Sequence, residues 1–444
     1  MHMNNLKVAA AVALALGGSV TAQSAFAAPT AAQCAAATAK LYVAGSSAAQ
    51  PSFATALAND LFDTGGETTI AAPAVAGSAN GNFKAYCGAA KAGNGAGVAT
   101  GAITIVYYRG EGGSVVGALP VFSGKPVKFL DISSGACQVT NPSVTGLSAN
   151  VGTTDGWSGC VTTHAVEMGV TDLEPGQFHA PNYPSAYSAS VFGSATQAQL
   201  AGLAKTALFQ QVFGLFVNTS GFNGAATTGL AVDLSRETAA AILSGNYSDW
   251  SAVPTATGGA VSSTSQPITI VNREAGSGTR TGASIYFLGT NCVTSPGVLS
   301  DPTPLADGYA TGDVLATAGA TPGAITYASI DNAGKPGLST VSLSGVAPSN
   351  LAATNGKYDW WFEATAQKGS ITSPGGLGIY NWLVGGELSN VATAPHAVDI
   401  LAIPVGSNTA TVPLTSSTVG GVTIYINPFT KSGNSCSIPG PTNF

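Results

Sequence analysis

The sequence predicts a doubly wound α/β protein, on three observations. Short β-branched or apolar runs alternate with segments of helical period, several of those runs end in turns of small hydroxyl-bearing residues, and such turns gather ligand groups at strand C-terminal ends. The 444 residues suffice for two or more domains with real cores.

In chain order, Lys7, an apolar run over residues 8–16 and the small residues ending Ala25-Phe26-Ala27 have the pattern of a cleaved secretory signal, so residues 1–27 are expected to be removed. That run is too short to span a bilayer, and Cys34 lies too far beyond it for a lipid-anchored start. A soluble product in the periplasm or secreted beyond it is expected. The first strand is read at 40–44, followed by Gly45-Ser46-Ser47-Ala48-Ala49-Gln50-Pro51 and a helix carrying Phe53, Leu57, Leu61 and Phe62. Residues 70–100 are rich in Ala, Gly and Asn and read as a long loop around a short helix bearing Cys87. A strand at 102–108 runs into the turn 109–117 with its hydroxyl at Ser114; no Gly-Lys-Ser/Thr ending follows, so this is not a nucleotide P-loop.

Residues 133–159 form a turn-rich insertion, and a strand within 165–175 ends on Asp172, which taken by itself reads as a turn cap before it reads as a ligand contact. After a loop rich in Tyr, Pro and Ser, an apolar strand is expected around 213–218. A helix over 234–243 is capped by Ser235 and closed by Gly245. The strand 268–271 then feeds Arg273, Gly276, Ser277, Gly278 and Thr279 and a helix bearing Ala283, Tyr286 and Phe287. A strand, a Gly/Ser/Thr turn and a helix start leave backbone N–H groups pointing outward, and the local dipole favours an anion. Arg273 adds a forked, permanent positive charge at the edge. Further strands are read at 322–328 and 422–426. Trp360 and Trp361, in the aromatic cluster 356–363, cover a core or hinge, or else offer a stacking face to a sugar.

Charged residues are only 8% of the chain and the net charge is −6, which argues against a nucleic-acid binder that neutralises phosphates. An anion would be held by local hydrogen bonds, not by a broad positive field. With 45% hydrophobic residues the chain should be ordered. Six cysteines without C-x-x-C spacing suggest three disulfides; Cys137 with Cys160 is the favoured local pair, though sequence alone does not choose among the pairings. His2, His164, His179 and His396 are scattered, so neither a zinc site nor any cofactor is expected.

The order of these segments resembles the periplasmic phosphate-binding proteins of ABC-type transporters. Residues 45–51 look like that family's Gly-x-Thr-Phe-Pro-x-Pro turn, 112–117 like its Gly-Ser-Gly turn and 169–172 like its Gly-x-Ser-Asp strand end. Residues 242–250 resemble Ile-Phe-x-Gly-x-Ile-x-x-Trp, 273–279 Arg-x-x-x-Ser-Gly-Thr, and 323–327 Gly-x-Ile-Gly-Tyr. The resemblance implies a two-lobed type II periplasmic-binding-protein fold, each lobe a doubly wound mixed sheet, here with Gly/Ser/Thr-rich loop insertions. It implies lobe I from 28–213 plus 360–444 and lobe II from 214–359. It also implies a non-enzymatic monomer, not embedded in a membrane, that delivers inorganic phosphate to an ABC permease.

Carried over by position, the phosphate-binding residues would be Ser47, Ala48, Ser114, Asp172, Arg273, Ser277, Gly278 and Thr279. Asp172, acceptor-only when ionised, would take the proton that phosphate retains and sulfate lacks. Ser47-Ala48 stands where the family has Thr-Phe, Val115 replaces a Gly, and Glu274 adds an acid beside Arg273 that must point away or meet an arginine such as Arg280. Two alternatives stay open: a surface or matrix protein that keeps the fold without transport, and a secreted phosphatase-like protein.

Overall fold

A computed structural model describes residues 28–71, 83–133, 144–145, 158–178, 192–224, 229–300, 310–388, 401–402, 417–419 and 422–441. The expected signal segment and Cys137 lie outside the described residues, as does most of the insertion at 133–159. Among the described residues no helix is long and apolar enough to cross a membrane.

Among the described residues the main sheet has fourteen strands. Its first half contains β1 (Ala39–Gly45), β2 (Phe62–Ala71), β3 (Phe83–Ala90), β4 (Ile103–Arg109) and β5 (Met168–Thr171). β1 runs parallel to both β4 and β5, with Val43 opposite Tyr108 and Met168. β6 (Lys205–Val217) is shared between two groups of strands. Its first part pairs antiparallel with β9 (Trp361–Lys368), and its last five residues pair with β8 (Ala324–Ser329), which in turn pairs with β7 (Thr269–Ile270). β9 lies between β5 and β6, so a late segment of chain completes the early sheet.

The strands expected near 40–44, 102–108, 165–175, 213–218, 268–271, 322–328 and 422–426 are all present, as is the helix capped by Ser235. The reading of 70–100 is corrected. Cys87 sits in a strand, opposite Thr68 of β2 and Ile105 of β4, and not in a helix. Residues 83–90 are mostly small and carry little strand preference of their own; hydrogen bonding to a neighbour on each side makes them a strand. Cys87 pairs with Cys34 and Cys292 with Cys436. Cys160 is disulfide-bonded as well.

Beyond the strand Val422–Ile426 the tail is tied to the first half of the molecule. Gln210 Nε2 donates to the Phe429 carbonyl at 2.9 Å. Glu363 accepts from Thr430 Oγ1, from the Lys431 amide at 3.0 Å and from the Gly433 amide at 2.8 Å. Glu174 accepts from the Ser435 amide at 2.9 Å and from its hydroxyl. Lys431 is buried over the rings of Trp361 and Phe362, and burial pushes its ammonium down to about 8, with Asp359, Glu363 and Glu174 only partly offsetting the cost. Between pH 8 and about 10 the unfolded chain then binds the proton more tightly than the fold, so stability should rise with pH across that window. Chemical denaturation of Lys431→Met should show a flatter slope there and a gain on the order of 2 kcal/mol at neutral pH.

Candidate functional site

Three turns meet where β1, β4 and β5 end opposite the loop after β7. The helix Ser114–Ser123 lies directly on β1 and β5 because Gly117 has no side chain: a Cβ there would come within 2.6 Å of the Val170 carbonyl oxygen and 2.9 Å of that of Ala44. This approach delivers Ser114, the first residue of the helix, to the end of β5. Its hydroxyl accepts from the Asp172 amide at 3.1 Å. From the other side the Val115 amide donates to the Gly276 carbonyl at 3.0 Å, joining the second turn to the Gly276–Thr279 turn.

Ser277 caps the helix Gly278–Leu288, accepting from the Arg280 amide, as its Ser-Gly-Thr sequence predicts. Thr279 bonds Asp172 through its backbone amide. Gly278 packs so closely that a Cβ would overlap Asp172 Oδ2 and Ser114 Oγ. Asp172 is 3% exposed. Burial raises its carboxyl above the ordinary range, while Ser46, Arg273, Ser114 and the Thr279 amide each pull it back towards ionisation. A carboxylate here is surrounded by donors, with a guanidinium nearby.

Arg273 is 1% exposed, and its Nη1 donates to Ser47 Oγ at 3.3 Å and to Thr311 Oγ1 at 3.1 Å. The two hydroxyls are themselves 3.2 Å apart. Arg280, beside the arginine, donates from Nη1 to the Arg273 carbonyl at 2.7 Å. Seven of the eight residues singled out in the sequence therefore lie around one spot; Ala48 follows Ser47 in the first turn, where it is buried and its carbonyl accepts from Gln211 Nε2 at 3.1 Å.

Sequence reasoning missed three participants. Ser46, one residue before the expected serine, bonds Asp172 Oδ1; its hydroxyl also accepts from the Ala49 amide at 2.9 Å and its carbonyl accepts from Tyr108 Oη at 2.6 Å. Thr311 opens the helix Thr311–Ala320 and enters from a stretch without any motif. Gln50 is buried beside Ser47 and Gly110, and its Nε2 has no acceptor among the described residues. Pro51 after it marked a helix start, but nothing marked the amide as a free donor.

Further from the site, the Ile-to-Trp motif is structural. Trp250 is fully buried, and its indole N–H donates to the Gly323 carbonyl at 2.8 Å, locking the motif at 242–250 to the start of β8.

Residues 180–371, somewhat less than half of the chain, match the model of the PBP superfamily domain. No curated protein matches the sequence. Similar solved structures include a protein from Clostridium perfringens with bound phosphate, 14% identical, covering 82% of this chain and 100% of that one with a TM-score of 0.45. An ABC-type phosphate transport receptor from Vibrio cholerae is 13% identical, with coverage of 78% and 93% and a TM-score of 0.40. A phosphate-binding protein from Stenotrophomonas maltophilia is 14% identical, with coverage of 87% on both sides and a TM-score of 0.41. At these identities and scores the likenesses say nothing of a ligand. Over residues 180–371 the chain is thus similar to the PBP superfamily domain, and its described residues form a mixed α/β fold around one large mixed sheet.

Proposed function

We propose that this protein is a solute-binding protein that closes two lobes around one inorganic phosphate and hands it to an ABC-type permease, without covalent chemistry. Lobe I comprises 28–213 with 360–444, lobe II comprises 214–359, and residues 1–27 are the export signal. The observation that carries the ligand class is the position of Asp172. It is a buried carboxylate among hydroxyl and amide donors, with a buried arginine in electrostatic reach. Donors alone would suit any oxyanion. An acceptor in their midst suits an oxyanion that still carries a proton at neutral pH, which phosphate does and sulfate does not. Facing sulfate, an ionised Asp172 would meet an acceptor of like charge with no proton between them.

Ser47, Ala48, Ser114, Arg273, Ser277, Gly278 and Thr279 supply the donors in this reading, with Gln50 and Thr311 added to them. Closure brings the turns of lobe I against the Arg273–Thr279 loop of lobe II, a hinge motion of the kind that buries small ligands. The test is calorimetric titration of the mature protein, after partial unfolding has stripped any ligand, with phosphate and separately with sulfate. Heat with phosphate, silence with sulfate and loss of the phosphate signal in Asp172→Ala are expected. No heat with either anion would sink the reading.

A further inference from the structure

The hinge implied by the two-lobe reading is narrow. The chain crosses between lobes within β6 near Phe213 and again at Trp360, and these crossings are adjacent, since the Phe213 amide donates to the Trp360 carbonyl at 3.0 Å. Two neighbouring strands resist bending about one axis only weakly. The tail adds a third connection. Cys436 belongs to the segment that Gln210, Glu363 and Glu174 anchor to lobe I. Cys292, its disulfide partner, lies just beyond Gly289, which caps the helix Gly278–Leu288 of lobe II. At the same corner Asn291 Nδ2 donates to Gln177 Oε1 of lobe I at 3.2 Å.

We propose that the C-terminal tail is a covalent strap: through Cys292–Cys436 it pins the far end of the site helix to lobe I and limits how far the lobes open. The inference rests on the two-lobe reading above. The helix is 11 residues long, so its ligand-facing N-terminus stands about 16 Å from the pinned end. Opening is then a pivot about the strap and not a free swing about two strands. The tail also packs on the hinge, with Lys431 over the rings of Trp361 and Phe362, and beside that contact lies a cavity of about 250 Å³ lined by Arg236, Tyr286, Asp359, Phe362, Lys431 and Ile438. The disulfide adds a covalent link to this contact. A strap that restrains opening slows both entry and exit.

The test uses three full-length mature proteins: wild type, Cys292→Ser with Cys436→Ser, and a slack variant with Gly-Ser-Gly-Ser inserted between Ser435 and Cys436 that keeps the disulfide. Labels attached at the exposed positions 125 and 335, one on each lobe, report interlobe distance without ligand, and stopped-flow reports phosphate association and release. Both variants should show longer and broader distances than wild type, with both rate constants raised on the order of tenfold. Identical distance distributions and rates in all three proteins would overturn the strap. Should wild type bind no phosphate, the distance measurement still decides the strap while the phosphate reading falls alone. Should the double serine variant fail to fold, the slack variant decides.

Discussion

Gly278→Ala is expected to abolish phosphate capture and to lower thermal stability, although Gly-to-Ala changes inside helices ordinarily stabilise. Alanine is normally worth roughly 0.5 to 1 kcal/mol over glycine in a helix. At position 278 the added methyl would overlap Asp172 Oδ2 and Ser114 Oγ and lie 2.7 Å from Asp172 Cβ. The last of these cannot rotate away, because it is the stem of a side chain at the end of β5. Either the site helix backs off or Asp172 is driven from its donors. Overpacking of this kind costs about 1 to 3 kcal/mol, and displacing the acceptor should lower phosphate affinity at least about a hundredfold. Gly312→Ala is the control: it lies in the helix Thr311–Ala320, where a new Cβ meets nothing within 4 Å, and it should be neutral or stabilising. Paired melting curves and titrations of the two variants check this. A stable Gly278→Ala protein that binds phosphate normally would show that the contact between helix and carboxylate is not part of the site.

Arg273→Met should weaken phosphate binding by roughly 3 kcal/mol, between a hundredfold and a thousandfold. Two effects add. The guanidinium holds Ser47 and Thr311 through one nitrogen, so its loss frees hydroxyls that come from opposite lobes in the proposed division. It also favours the ionised form of Asp172, whose carboxyl burial already raises. Without the arginine that carboxyl should titrate still higher, and once protonated it turns from acceptor to donor. Phosphate binding of the variant should therefore improve as pH rises through that titration, before the anion loses its remaining proton. Arg273→Lys tests the division of labour: it keeps a charge, but a point-like ammonium cannot reproduce the forked geometry. Titrations at several pH values separate the two contributions.

Much of the site could be read in the sequence because its parts are local. Ser277 caps its helix by reaching three residues along the chain, and Asp172 ends its strand whatever the strand pairs with. What could not be read depends on distant partners. Ser46 and Ser47 are adjacent hydroxyls, and only the bend of the backbone decides that the first meets the carboxylate and the second the arginine. Thr311 is brought to Ser47 across 264 positions of sequence. β3 was hidden for a similar reason, since its alanines and glycine become a strand between β2 and β4 and signal little alone. Cys34–Cys87 and Cys292–Cys436 close separations of 53 and 144 residues, over which spacing alone chooses no partner.

The place of β9 in the sheet bears on the order in which the molecule can be assembled. Everything up to residue 217 can be made, yet β5 and the first part of β6 have no partner between them until residues 361–368 arrive. In the meantime the growing chain presents two open strand edges, the kind of surface that pairs with the wrong neighbour. Pairing at such separations is also slow, since the entropy of a long loop must be overcome before any contact forms. The sheet around β5 and β6 therefore cannot be completed before the middle third of the chain has been made.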